Sequence, residues 1–234
     1  MTDPARTTVY AGAAIAVNRR LPDGCPPVLL LHGLGSNATA TWGATGWFGE
    51  LERAGFGWLA PDLRGHGGSI KPHQPDSYRP ERLVEDAVAV LDDAGIITVD
   101  VVGYSLGARI AIELAVNRPD RVGRLVLGGF GDGSGSAPPL QQLLGHLPAG
   151  ADPAAVAACA AGAATEVAPP RVAEVVAPVL LVAGEADTFA GSIESLGERF
   201  VDARTERVPG RNHFTTLSAT SFKRAALDFL GARR

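Results

Sequence analysis

Gly103-Tyr104-Ser105-Leu106-Gly107 joins two segments of opposite character. Thr98-Val99-Asp100-Val101-Val102, before it, reads as a short buried strand, and Ala108 to Asn117, after it, reads as a helix with almost no polar face. A strand that runs into a helix through Gly-x-Ser-x-Gly turns so sharply that the serine side chain projects above the sheet. Gly103 and Gly107 are needed because a Cβ at either place would collide with the neighbouring strand or helix. Ser105 also falls at a helix N-terminus, where N–H groups without intrahelical acceptors favour developing negative charge.

Outward from this turn, apolar runs alternate with helical spacing. Thr7 to Tyr10 and Ala13 to Asn18 read as two strands joined at Ala11-Gly12. Pro27 to Leu31 is continuously apolar, as a strand buried on both faces of a parallel sheet must be, and it ends in the glycine loop His32 to Ser36. Trp47 to Ala54 has helical spacing, and Gly57 to Ala60 is a second buried strand. Pro80 opens a helix with Val84, Ala87, Val88 and Leu91 on one face and a stop at Gly95. Val122 to Leu127, Pro178 to Ala183 and Ala203 to Val208 read as further strands, and a closing helix is predicted from near Phe214. This alternation implies βαβ units, a largely parallel sheet and helices on both faces. The rhythm breaks between 131 and 177, where Ala, Gly and Pro dominate and three short helical pieces are predicted: Pro139 to His146, Pro153 to Gly162 and Pro170 to Val176. Sites of such sheets lie at the strand C-terminal ends, so this insertion would cover the site as a small lid.

Composition narrows the function. The chain of 234 residues is 46% hydrophobic and 20% charged, enough for one domain with a sizeable core. A net charge of −4 with scattered basic residues argues against a nucleic-acid partner, which needs clustered Lys and Arg. Cys25 and Cys159 are too few and too far apart for a disulfide framework or a zinc site, so a reduced setting is expected. Met1 to Thr8 lacks the apolar stretch of a signal peptide, and Ala151 to Ala164, broken by Asp152 and Pro153, falls short of the ~20 apolar residues of a membrane span. A cytoplasmic protein with no membrane partner is expected. The oligomeric state is not readable from these residues.

The chain resembles the α/β-hydrolase family over essentially its whole length. The likeness rests on the turn at 103–107, His32-Gly33 at a strand end, and Pro61-Asp62-Leu63-Arg64-Gly65-His66-Gly67. Gly184-Glu185-Ala186-Asp187 and Gly210-Arg211-Asn212-His213-Phe214 complete it. The resemblance implies an α/β fold with an eight-stranded, mostly parallel sheet formed by 1–130 and 178–234, its first hairpin antiparallel, and a short lid at 131–177.

A serine hydroxyl needs an adjacent base, and the base needs an acid that fixes its tautomer. Among five histidines, His213 follows the last strand, where the family keeps its base, and His32 starts the glycine loop, where the family uses it structurally. Asp187 lies between Ser105 and His213 in the order Ser, acid, His that this fold uses; Asp132 is an alternative acid, with Glu185 and Asp202 nearby. The oxyanion donors would be the N–H of Leu106, which follows the nucleophile, and by family position that of Leu34. Asp62, Arg64 and His66 read as loop-ordering groups, and Arg109 as the partner of a carboxylate. Trp42, Tyr104, Phe130 and Phe214 adjoin the catalytic loops and are candidate substrate-pocket residues, each equally fit for core packing.

The expected activity is hydrolysis of a small carboxylic ester through an acyl-enzyme, on a small-molecule acyl substrate, with no metal or organic cofactor. Thioesters, lactones and the carbon–carbon bond of diketones use the same constellation, and a ligand-binding receptor could keep the fold with little turnover. Serine in place of aspartate at 105 argues against the family's epoxide hydrolases and haloalkane dehalogenases.

Overall fold

Strand β3 (Pro27–Leu31) shows how the sheet is held: Leu29 and Leu31 enter one apolar core and Val28 and Leu30 another, because successive side chains of a strand face opposite ways. The computed structural model describes residues 3–10, 13–136, 139–163 and 171–231. Strands β1 (Asp3–Tyr10), β2 (Ala13–Arg20), β3, β4 (Gly57–Pro61), β5 (Val99–Tyr104), β6 (Val122–Gly128), β7 (Val179–Gly184) and β8 (Ala203–Val208) form one sheet. Their order is β1-β2-β4-β3-β5-β6-β7-β8. Only β2 runs antiparallel to its neighbours; every other pairing is parallel.

Helices α2 (Pro80–Asp93), α3 (Leu106–Asn117) and α5 (Pro153–Ala163) pack into the core on one face. Helices α1 (Trp47–Arg53) and α7 (Thr220–Gly231) pack on the other. Both faces of the sheet are thus covered, which is why β4 and β7 are buried throughout. The edge strand β8 instead exposes Arg204, Thr205 and Glu206, two charges and a hydroxyl, and the charges discourage further pairing.

The closing helix starts at Thr220, not near Phe214. The Asn212 side chain caps the intervening turn, its Oδ1 accepting from the N–H groups of Phe214 and Thr215 at 3.1 and 3.0 Å. Residues 131–177 hold α4 (Leu140–Leu144), α5 and a 3₁₀ turn at Val172–Glu174 in place of the third predicted helix. The start of that piece at Pro170, and the turn expected at Ala11-Gly12, lie outside the described residues. Short elements that carry little periodicity were not foreseen: a π-helical turn at Thr39–Gly43, 3₁₀ turns at Pro75–Tyr78 and Pro119–Arg121, and α6 (Ile193–Gly197). No described helix is long and apolar enough to cross a membrane.

Candidate active site

Ser105 is the only non-glycine residue with positive φ among those described, at φ 54° and ψ −113°, between the end of β5 and the start of α3. A conformation of this kind costs on the order of 1–3 kcal/mol and persists only where the surroundings enforce it. The flanking glycines supply that enforcement by close approach. A Cβ on Gly107 would lie 1.9 Å from the Leu31 carbonyl oxygen, and one on Gly103 would lie 2.4 Å from that of Gly107. Leu106 is the first residue of α3, so its N–H has no acceptor inside the helix. The loop after β3 runs beside the serine, since a Cβ on Gly33 would rest 3.5 Å from the Ser105 Cβ.

His213, beyond β8, meets Asp187, beyond β7. Its Nδ1 lies 3.0 and 3.1 Å from the two carboxylate oxygens. Asp187 Oδ1 also accepts from the N–H groups of Phe189 and Ala190, at 3.0 and 3.1 Å. Burial by itself would raise the Asp187 carboxyl, but the His213 contact and the two backbone donors outweigh it and leave its pKa below the ordinary value. The Tyr104 hydroxyl donates to the His213 carbonyl and fixes the backbone that carries the imidazole; burial, then the Asp187 charge, push that phenol above its usual pKa.

The other acids sit elsewhere. Asp132 Oδ1 accepts from the N–H groups of Ser134 and Ser192, each at 3.0 Å, and ties those loops together. Glu185 holds the Gly210 N–H at 3.1 Å. Asp202 stands at the opposite, strand-starting edge of the sheet, where it lines a separate cavity of about 640 Å³.

Two buried histidines fix the glycine loop. His32 Nδ1 donates to the Gly33 carbonyl at 2.8 Å, and its Nε2 accepts from Leu63 N–H at 2.9 Å. His66 Nε2 accepts from Gly35 N–H at 2.9 Å while its Nδ1 donates to the Arg64 carbonyl. Each ring needs one bare nitrogen, so each must be neutral. Burial, reinforced by the nearby His66, lowers the His32 pKa to about 3, and burial depresses that of His66 as well. Asp62 accepts from Ala38 and Gly68 N–H groups, and Arg64 forks onto the buried Asp86. The three residues read as loop-ordering groups do bond to the loops around them.

Ser105, His213, Leu34 and Leu106 all line one cavity of about 560 Å³. Tyr104, Phe130 and Phe214 line it too, and Phe214 is 66% exposed. Trp42 is not among the lining residues: it is fully buried, edge-on to Trp47 at 5.5 Å, in the core shared by α1 and α7. The π-helical turn brings Thr41 to the cavity instead, hydrogen-bonded to Ser36 at 2.8 Å. The wall also contains Phe189, 4.9 Å from the His213 ring, which sequence reading passed over although it lies two residues beyond Asp187. Leu140, Leu143, Ala160 and Ala163 enter from 131–177, and Arg109 from α3.

A family model for the α/β hydrolase fold matches residues 26–152. Epoxide hydrolase 3 of Siraitia grosvenorii is 41% identical over 104 residues, 43% of this chain and 31% of that protein. The 2-hydroxymuconate semialdehyde hydrolase of Pseudomonas putida is 40% identical over 103 residues, 44% of this chain and 36% of that protein. The matched stretch thus spans about a third of the length of either relative. The enol-lactonase from Burkholderia xenovorans LB400 superposes with a TM-score of 0.83 at 21% identity, over 97% of this chain and 100% of that one, a likeness of fold. With the family model covering more than half of its length, the chain belongs to the α/β-hydrolase family.

Proposed function

We propose that this α/β hydrolase is a serine hydrolase that cleaves a small carboxylic ester through an acyl-enzyme. The observation that carries the reading is the His213–Asp187 hydrogen bond at the rim of a cavity that also contains Ser105. Ser105 Oγ attacks the ester carbonyl as His213 Nε2 takes its proton, and Asp187 steadies the imidazolium through Nδ1. The N–H groups of Leu34 and Leu106 hold the oxyanion, each donor being worth about 3 kcal/mol in the transition state. The intermediate collapses, the alkoxide leaves with the proton from His213, and water then attacks the acyl-serine by the same steps. The insertion between β6 and β7 acts as the lid, contributing Leu140, Leu143, Ala160 and Ala163 to the wall.

The relatives' names span an epoxide hydrolase, a 2-hydroxymuconate semialdehyde hydrolase and an enol-lactonase, so shared fold leaves the bond cleaved to the site. A serine at 105 supports acyl chemistry over the alkyl-ester route of epoxide hydrolases. The test is turnover of p-nitrophenyl butyrate together with labelling by a fluorophosphonate probe. Ser105→Ala is expected to lose at least ~10³-fold in kcat and all labelling. Undiminished turnover in that variant, or labelling at another residue, would refute the reading; a panel of esters, thioesters and lactones then ranks the acyl bond.

A further inference from the structure

The loop that carries the acid is held at both ends. At its start, Asp187 Oδ1 accepts from the N–H groups of Phe189 and Ala190 at 3.0 and 3.1 Å. At its far end, the Ser192 N–H donates at 3.0 Å to Oδ1 of Asp132, which lies in the loop leaving β6. Resting on the serine-hydrolase reading, we propose that Asp132 is a positioning residue: it pins the 187–192 loop and so keeps Asp187 aligned on the His213 imidazole.

Several bonds make this contact a clamp. Asp132 engages both backbone groups of Ser192, since its own N–H donates to the Ser192 carbonyl at 3.0 Å. The Ser136 N–H reaches the Thr188 carbonyl at 2.7 Å, so 132–136 runs along 188–192. The two backbones approach closely: a Cβ on Gly131 would stand 2.6 Å from the Ala190 carbonyl oxygen, and one on Gly135 would strike that of Phe189. Asp132 is itself aimed by Ser134, whose N–H and hydroxyl reach the same Oδ1 at 3.0 and 2.6 Å. The Ser134 hydroxyl, then the backbone donors, hold the Asp132 carboxyl well below the usual carboxylate range, so it grips as an anion. What the clamp fixes is a distance. His213 hangs from the loop after β8 and Asp187 from the loop after β7, so the anchoring of the second loop sets the 3.0 Å between them. A catalytic group displaced by about 1 Å can cost on the order of 10²-fold in rate.

The test is a double-mutant cycle read in p-nitrophenyl butyrate hydrolysis. Asp132→Ala should lower kcat by roughly 10- to 10²-fold with KM little changed, because the loss falls on the acid–base pair. In Asp187→Asn protein the same substitution should change kcat by less than about twofold, since the acid it positions is gone. Asp132→Asn, which keeps the acceptor oxygen, should recover most of the rate. Asp132→Ser, one bond too short for the Ser192 N–H, should repeat the loss, so a folding failure of the alanine variant leaves the test in place. Unchanged kcat in Asp132→Ala, or an equal loss in both backgrounds, would overturn the proposal. A second measurement needs no turnover: in Ser105→Ala protein, the downfield ¹H resonance of the His213 Nδ1–H should shift or broaden on Asp132→Ala. A displaced resonance without Ser105-dependent hydrolysis keeps the clamp and sinks the reaction; an unmoved resonance with intact hydrolysis does the reverse.

Discussion

In the proposed reaction the base is held by the bond between His213 and Asp187, so the sharpest expectation belongs to it. Asp187→Asn keeps the shape of the side chain but offers an amide where the imidazole N–H needs a carboxylate. It should lower kcat by roughly 10³- to 10⁴-fold while thermal unfolding moves by only a few degrees, checked with p-nitrophenyl butyrate and circular dichroism. Trp42 gives the contrast: Trp42→Ala should cost about 3–5 kcal/mol of stability in urea unfolding, because it hollows out a core position that makes no part of the cavity wall. The placement of Ser105, and the meeting of Asp187 with His213, could be anticipated because each follows a strand end with a recognisable neighbourhood. Trp42 and Phe189 were not, since an aromatic's destination depends on the path of the loop that holds it, and the π-helical turn at Thr39–Gly43 leaves no periodic trace.

Loops and turns hold the elements in register, and two kinds of glycine separate their demands. Gly107→Ala would drive a Cβ to 1.9 Å from the Leu31 oxygen and should cost more than ~4 kcal/mol or prevent folding. Gly55→Ala, at φ +81° with nothing within 4 Å, should cost only about 1 kcal/mol, the strain of a left-handed alanine. Urea midpoints compare the two. His32 makes the loop before α1 acid-sensitive. Its folded pKa, about 3, lies below the unfolded value near 6.5, so falling pH protonates the unfolded chain first. Its contribution is complete above pH ~6.5 and disappears between there and pH ~3, by about 1.4 kcal/mol per unit. A ¹⁵N spectrum at pH 5 should show His32 neutral with the proton on Nδ1, and a protonated ring there would contradict the bonds to Gly33 and Leu63. The limits of the buried strands β3 to β7 followed from continuous apolar runs to within two residues, whereas the order of the strands was not predicted and the late start of α7 was missed, because side-chain bonds from Asn212 override the helical spacing of Phe214 and its neighbours.

Across the whole molecule, the two cores bind all the layers to one sheet, and the two cysteines can report on that cohesion. Cys25 is partly exposed, whereas Cys159 of α5 is buried in the same core as α2 and α3, and burial pushes its thiol up to about 12. A maleimide reagent should modify one thiol in native protein and both in urea; rapid native labelling of Cys159 would mean that α5 opens freely. Composition set 131–177 apart from the rest of the chain but did not foretell this division within it, since alanine-rich helices read alike whether docked or loose. The partition also divides the wall of the cavity beside Ser105. Ala160 and Ala163 reach it from α5, which is riveted into the scaffold, whereas Leu140 and Leu143 reach it from α4, which has no buried side chain, so these two leucines are the part of the wall whose shape can change at least cost to the core.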